Sequence, residues 1–120
     1  MKRLKRRQDF VAAAKAFSWG TPAFMMQLRQ RSDDGPARVG FTCTKKLGNA
    51  VARNRIKRRL KEASRLALPA FAKISCDYVI IGRSAAETRA FDILQSDLIS
   101  AAQRLHAKSN PVPEQPMELK

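Results

Sequence analysis

The sequence predicts an α+β fold, with three strand patterns set among three helical ones around one core. Three observations carry this. The chain has 120 residues, 44% of them hydrophobic, which supports a core of modest size and leaves no length for a second one. Residues 37–44 alternate apolar and polar side chains, whereas residues 49–68 repeat apolar side chains at helical spacing. Asp77-Tyr-Val-Ile-Ile-Gly82 is a short, unbroken apolar run, the pattern of a strand inside a sheet.

Taken in chain order, residues 9–17 read as a short helix. Asp9 stands as a plausible N-cap, and Phe10, Ala13, Ala14 and Phe17 recur at helical spacing. Trp19-Gly20-Thr21-Pro22 stops it. Residues 23–31 read as a strand with Phe24, Met26 and Leu28 on one face. Ser32-Asp-Asp-Gly-Pro36 is a turn, and residues 37–44 form the next strand with Val39, Phe41 and Cys43 on one face. These two strands are expected to pair as an antiparallel hairpin.

The main helix runs from about Asn49 to Leu68 and is closed by Pro69. Its apolar stripe is Ala52, Ile56, Leu60, Ala63 and Ala67, flanked by Arg53 and Arg59. Asn54, Lys57, Arg58, Lys61 and Arg65 cover the far side, where only Glu62 offers an intrahelical partner. Ser84-Ala-Ala-Glu87 fits either a capping box or a loop. A last helix, about Ala90 to Ala107, turns Phe91, Leu94, Leu98, Ala101 and Leu105 inward. Residues 1–107 are thus expected to form one domain. Residues 108–120, with Pro111, Pro113 and Pro116, are expected to be a disordered tail.

Charge narrows the class of partner. The formal net charge is +14, and residues 1–15 and 45–65 together hold 15 of the 24 Lys and Arg but 2 of the 10 acids. A basic surface this concentrated is a site for a polyanion rather than a solubility device. No apolar run approaches the roughly 20 residues of a membrane span. The segment after the basic start is too short and too charged for a signal peptide, so a cytoplasmic protein is expected. Cys43 and Cys76 fit neither a disulfide framework nor a zinc site, and read as free, buried thiols.

Catalytic machinery is not visible. His106, the one histidine, has no partner marked in sequence and reads as a solvated residue at a helix end, with Asp97 the nearest acid. Asp33 and Asp34 precede Gly-Pro and read as turn residues. No phosphate-binding glycine loop, nucleophile elbow or HExxH helix is present. The segment Lys45 to Arg65 has nine bases in 21 residues on a helix with a proper apolar stripe, which favours a nucleic-acid platform over a merely solvated face. Composition alone leaves DNA and RNA both open.

Arg38-Val-Gly-Phe41, Lys45-Lys46, Gly48-Asn-Ala-Val51, Arg53-Asn-Arg55 and Lys57-Arg58, in that order, resemble the signature of the bacterial ribonuclease P protein component. The resemblance extends from residue 4 to about 106, with Asp9-Phe10 opening the first helix. It implies an α+β, two-layer sandwich of a mixed sheet and three helices, with a left-handed βαβ crossover like that of a ribosomal protein domain. It implies a non-catalytic subunit of a tRNA-maturing endoribonuclease whose active site is RNA. The partners implied are the catalytic RNA and precursor tRNA, with Mg²⁺ held mainly by the RNA, and with no membrane or DNA partner.

The resemblance also implies two surfaces. Lys45, Lys46, Arg53, Asn54, Arg55, Lys57, Arg58, Lys61 and Arg65 would contact the catalytic RNA. Phe10, Phe17 and Met26 would line a cleft for the single-stranded 5′ leader, where aromatic faces stack on unpaired bases. Core packing is the competing reading for Phe17 and Met26, and the expected role of Phe24, Phe41 and Phe71. No catalytic residue or metal ligand is assigned to the protein. The alternative function is a ribosomal or other structured-RNA-binding protein with no part in precursor cleavage; a helical DNA-binding module is a third reading.

Overall fold

The computed structural model describes residues 1–109. Its elements in order are β1 (Lys2–Arg3), α1 (Arg7–Ala14), β2 (Phe17–Gly20), β3 (Phe24–Gln30), β4 (Arg38–Thr42), α2 (Ala50–Ala67), β5 (Cys76–Gly82) and α3 (Phe91–Ser109). The five strands form one mixed sheet in the order β1-β4-β5-β3-β2. β4 runs parallel to both β1 and β5, and β3 runs antiparallel to β5 and β2. This is an α+β fold with three helices, as the sequence predicts.

The expected hairpin between β3 and β4 does not form, because β5 lies between them. β5 is the most apolar strand and buries both faces only from the centre of the sheet. Charge fixes it there as well. Asp77 on β5 stands in register opposite Arg29 of β3 and Arg38 of β4, so an acid on the central strand meets a base on each side.

Pairing sorts the side chains onto two faces. Phe24, Met26, Leu28, Tyr78 and Ile80 join Ile56 and Leu60 of α2, and Leu94, Leu98 and Leu105 of α3, in the main core. The opposite face is covered by α1, whose Ala13 packs with Leu4 and Val79 while Phe10 and Ile81 lie half-buried beside them. The sheet is therefore packed by α2 and α3 on one face and by α1 on the other.

The first helix is shorter than expected. It ends at Ala14, and Phe17–Gly20 is a strand instead, paired Phe17 to Leu28 and Trp19 to Met26. Four residues give only two periods of alternation, too little to mark a strand against the helical pattern before it. Asp9 is not the N-cap, because Arg6 occupies that position. Its carboxylate turns toward the sheet, where Arg29 and Arg38 hold it. α3 continues through Lys108 and Ser109, two residues expected in the tail; the rest of that expectation lies outside the described residues. Ser84–Glu87 is a 3-10 turn.

Candidate nucleic-acid interface

α2 is launched from β4 through a 3-10 turn at Lys45–Leu47. Gly48 then takes φ +126°, a conformation that L side chains rarely adopt, and Asn49 caps the helix by accepting a hydrogen bond from the Ala52 amide at 2.9 Å. Ile56, Leu60, Ala63, Ser64 and Ala67 are buried along one side. That stripe fixes the rotation of the helix, and rotation decides which cations face outward.

The nine residues expected on this surface divide into groups. Lys45, Lys46, Arg53, Lys57, Arg58 and Lys61 make no ion pair with the described residues, and Asn54 is exposed. Arg55 is paired with Glu87 Oε2 at 2.7 Å, and Arg65 with Glu62 at 2.5 Å. The Glu62 partner was legible from spacing three apart on a helix; Glu87, 32 residues from Arg55, was not. Arg59 donates to the carbonyls of Ala86 and Arg89 and so braces α2 against the segment leading into α3. Arg53, Lys57 and Lys61 recur every fourth residue, about 6 Å apart along the axis. Burial lowers the pKa of Lys61, with Arg3 and Lys57 adding repulsion. A strip of unneutralised cations attracts polyanions and gains most when phosphates replace its counterions.

The three residues expected to line the second surface are not brought together. Phe10 lies half-buried on the α1 side of the sheet. Met26 is fully buried in the core on the opposite side, because it falls on the same face of β3 as Phe24 and Leu28. Phe17 is 37% exposed, but it pairs with Leu28 and so shares the side of Met26, not that of Phe10. What does meet Phe10 is Gly40: a Cβ there would lie 2.5 Å from the Phe10 ring. Among the aromatics expected in the core, Phe24 is fully buried, and Phe41 is half-buried against the main core.

α1 is held over this face by an ion cluster. Asp77 is fully buried and meets Arg31 at 2.6 Å, Arg38 at 2.8 Å and Arg29 at 3.6 Å. Asp9 meets Arg29 at 3.0 Å and Arg38 at 3.6 Å. Hydrogen bonding to Asp77 pushes the Arg38 pKa up, which keeps the guanidinium charged. Sequence reading did not find this cluster, whose members come from separate elements.

His106 is half-buried and hydrogen-bonded rather than simply solvated. Its Nε2 lies 2.6 Å from the Tyr78 hydroxyl, and that hydroxyl accepts from the Lys73 amide at 3.0 Å. Asp97 serves Arg89 instead, and Asp33 closes a turn by accepting from the Gly35 amide. Cys43 is half-buried and Cys76 buried, both free, and burial pushes both thiols up. Among the described residues no group of three or more His, Cys, Asp or Glu could hold a metal ion.

A protein-family model described as Ribonuclease P matches residues 1–106. The Ribonuclease P protein component of Ruegeria pomeroyi is 54% identical over 108 residues, covering 87% of this chain and 86% of that protein. The component from Caulobacter vibrioides is 53% identical over 100 residues, covering 82% and 67% respectively. Among solved structures, the Staphylococcus aureus RNase P protein matches with a TM-score of 0.69 at 27% identity, covering 87% of this chain and 94% of that one. The Thermotoga maritima RNase P protein matches with a TM-score of 0.70 at 25% identity, covering 87% and 97%. With a family model spanning nearly all the described residues, and relatives identical at more than half of the aligned positions, this chain belongs to the ribonuclease P protein family.

Proposed function

We propose that the chain is the non-catalytic protein subunit of a ribonucleoprotein that removes the 5′ leader of precursor tRNA, with the catalytic RNA as its direct partner. The observation that carries this reading is the set of six cations on α2 and the turn before it that have no acidic partner among the described residues. Lys45, Lys46, Arg53, Lys57, Arg58 and Lys61 would neutralise RNA phosphates, with Asn54 beside them. Arg55 and Arg65 would contribute after exchanging a carboxylate for a phosphate.

On the opposite face, Phe10 is the aromatic that can stack on an unpaired leader base. Met25 and Ile81 pair across β3 and β5 beside it and are half-buried, which supports an apolar floor for that contact. Phe17 and Met26 have no part in it. Mg²⁺ belongs to the RNA in this reading. The acids best placed to bind it, Asp9 and Asp77, are already taken by arginines, so the protein's own residues do not fit the ion. A cytoplasmic location belongs to the same proposal; no helix among the described residues is long and apolar enough to cross a membrane.

The test is reconstitution of the full chain with a bacterial ribonuclease P RNA and precursor tRNA at low Mg²⁺. Leader removal should require the RNA and be strengthened by the protein. Site-specific 5′ cleavage by highly purified protein after exhaustive RNA removal would overturn the non-catalytic role. Failure of the chain to bind the RNA or to stimulate cleavage would overturn the subunit role.

A further inference from the structure

A cleft of about 260 Å³ opens between the β1–β4 edge of the sheet and the C-terminal half of α2, on the side of the sheet away from Phe10. Val39, Phe41 and Pro69 give it an apolar lining, and Arg3, Lys61 and Arg65 supply three cations around it. Arg3 and Lys61 make no ion pair among the described residues, and Arg65 shares Glu62 at the exposed rim. Ser64 also lines the cleft, is 3% exposed, and its buried Oγ has no hydrogen-bond partner. A buried hydroxyl without a partner costs free energy that a ligand can return.

The surroundings select the ligand. The volume lies below the roughly 300–1,000 Å³ of sites for drug-sized molecules, which suits one flat ring system. Flat rings favour an aromatic wall such as Phe41, and the cations require that the ligand carry negative charge beside its ring. On the helical wheel Arg53, Lys57 and Lys61 lie along the strip that leads to Ser64, spanning about 16 Å. The only two buried side-chain polar atoms without partners among the described residues, Arg53 Nε and Ser64 Oγ, both lie on that strip. The cleft is thus continuous with the charged track, at the end where an aromatic and a hydroxyl are added.

We propose that this cleft takes one unpaired nucleotide of an RNA strand tracking α2, its base against Val39, Phe41 and Pro69 and its phosphate between Arg3, Lys61 and Arg65. The Ser64 hydroxyl bonds the edge of the base. Phosphate contacts along the strip set the position of the strand, and the cleft selects a flexible, unpaired residue over a helical one, because a base held in a duplex cannot enter it. The inference rests on the reading of α2 as an RNA-binding helix.

The test uses the full chain and a short, unstructured RNA oligonucleotide carrying 4-thiouridine. Ultraviolet crosslinks should map to the peptides containing Phe41 or Pro69. Lys61→Gln and Arg3→Gln should each weaken binding about tenfold, against about twofold for Arg58→Gln, which removes one exposed cation from the same helix. Arg3 lies outside the main core, so its variant reports on the cleft even if Lys61→Gln disturbs folding. The corresponding duplex should show no crosslink at Phe41 or Pro69. Equal losses for all three variants, with no crosslink at those residues, would overturn the cleft and leave the basic helix standing. Unchanged binding in all three would overturn both. Equally tight binding of a free mononucleotide or inorganic phosphate would show an anion site and overturn the strand-borne nucleotide.

Discussion

Arg38 donates two hydrogen bonds to Asp77, Nε to Oδ1 and Nη2 to Oδ2, each 2.8 Å long, across the parallel β4–β5 pair. The fork geometry matches the carboxylate, and Asp77 is fully buried. Arg38 also reaches Asp9 at 3.6 Å, so one side chain ties the central strand to the helix above it. Arg38-Val-Gly-Phe41 therefore has a structural account: the arginine pins β5 and α1, and the glycine makes room for Phe10.

Arg38→Ala should destabilise the protein by about 2–3 kcal/mol, because it removes two charge-assisted bonds from a buried carboxylate that keeps Arg31. Urea denaturation followed by circular dichroism measures this. Asp77→Asn should cost at least as much, since it leaves three arginines facing a neutral amide. A change below about 0.5 kcal/mol in both would mean that the cluster is solvated and contributes little.

Gly40→Ala should cost about 1–3 kcal/mol through the clash with the Phe10 ring, whose nearest atom would lie 2.5 Å from the new Cβ. The penalty should shrink in a Phe10→Ala background, where the ring is absent. A double-mutant cycle measures this coupling directly. Additive effects would place the two residues in independent roles.

Two neighbouring arginines on α2 should behave oppositely. Arg58 is exposed, so Arg58→Gln should leave the melting temperature unchanged, lower affinity for ribonuclease P RNA, and reduce the salt slope by about one. Arg59 donates to the carbonyls of Ala86 and Arg89, so Arg59→Ala should lower stability by about 1.5–3 kcal/mol. Filter binding over a salt series, run beside thermal denaturation, separates the two outcomes.

Stability should depend on the protonation of His106. Burial, with Lys73 nearby, holds its pKa below the ordinary 6.5. The Tyr78 hydroxyl accepts from the Lys73 amide and shares a hydrogen bond with Nε2, in a half-buried site that disfavours the charged ring. The folded state thus binds the proton less readily than the unfolded chain. The stabilisation is fully present above about pH 6.5 and is lost as pH falls through the lower folded value. Denaturation midpoints measured from pH 7.5 to 5 should fall in the wild type, and fall less in His106→Gln, whose side chain carries no titrating ring and can still hydrogen-bond Tyr78.

The sequence by itself determined much of this protein. Periodicity located β3, β4, α2, β5 and α3, because each is long enough to show its period and carries one clear apolar face or run. The apolar stripe of α2 also fixed which cations face outward, since rotation of a helix follows from burial alone. Tertiary structure decided what depends on partners distant in the chain. β5 separates β3 from β4 because only the centre of a sheet buries both of its faces, and that preference outweighs the short connection between the other two strands. Asp9 looked like a cap because its local sequence permits one, but Arg29 and Arg38 claim its carboxylate from across the sheet. Likewise Arg55 is paired through Glu87, His106 through Tyr78, and Met26 lies in the core because its face of β3 turns toward α2 and α3. Local propensity is short-ranged, whereas ion pairing and burial are settled by whichever partners the closed sheet brings within reach.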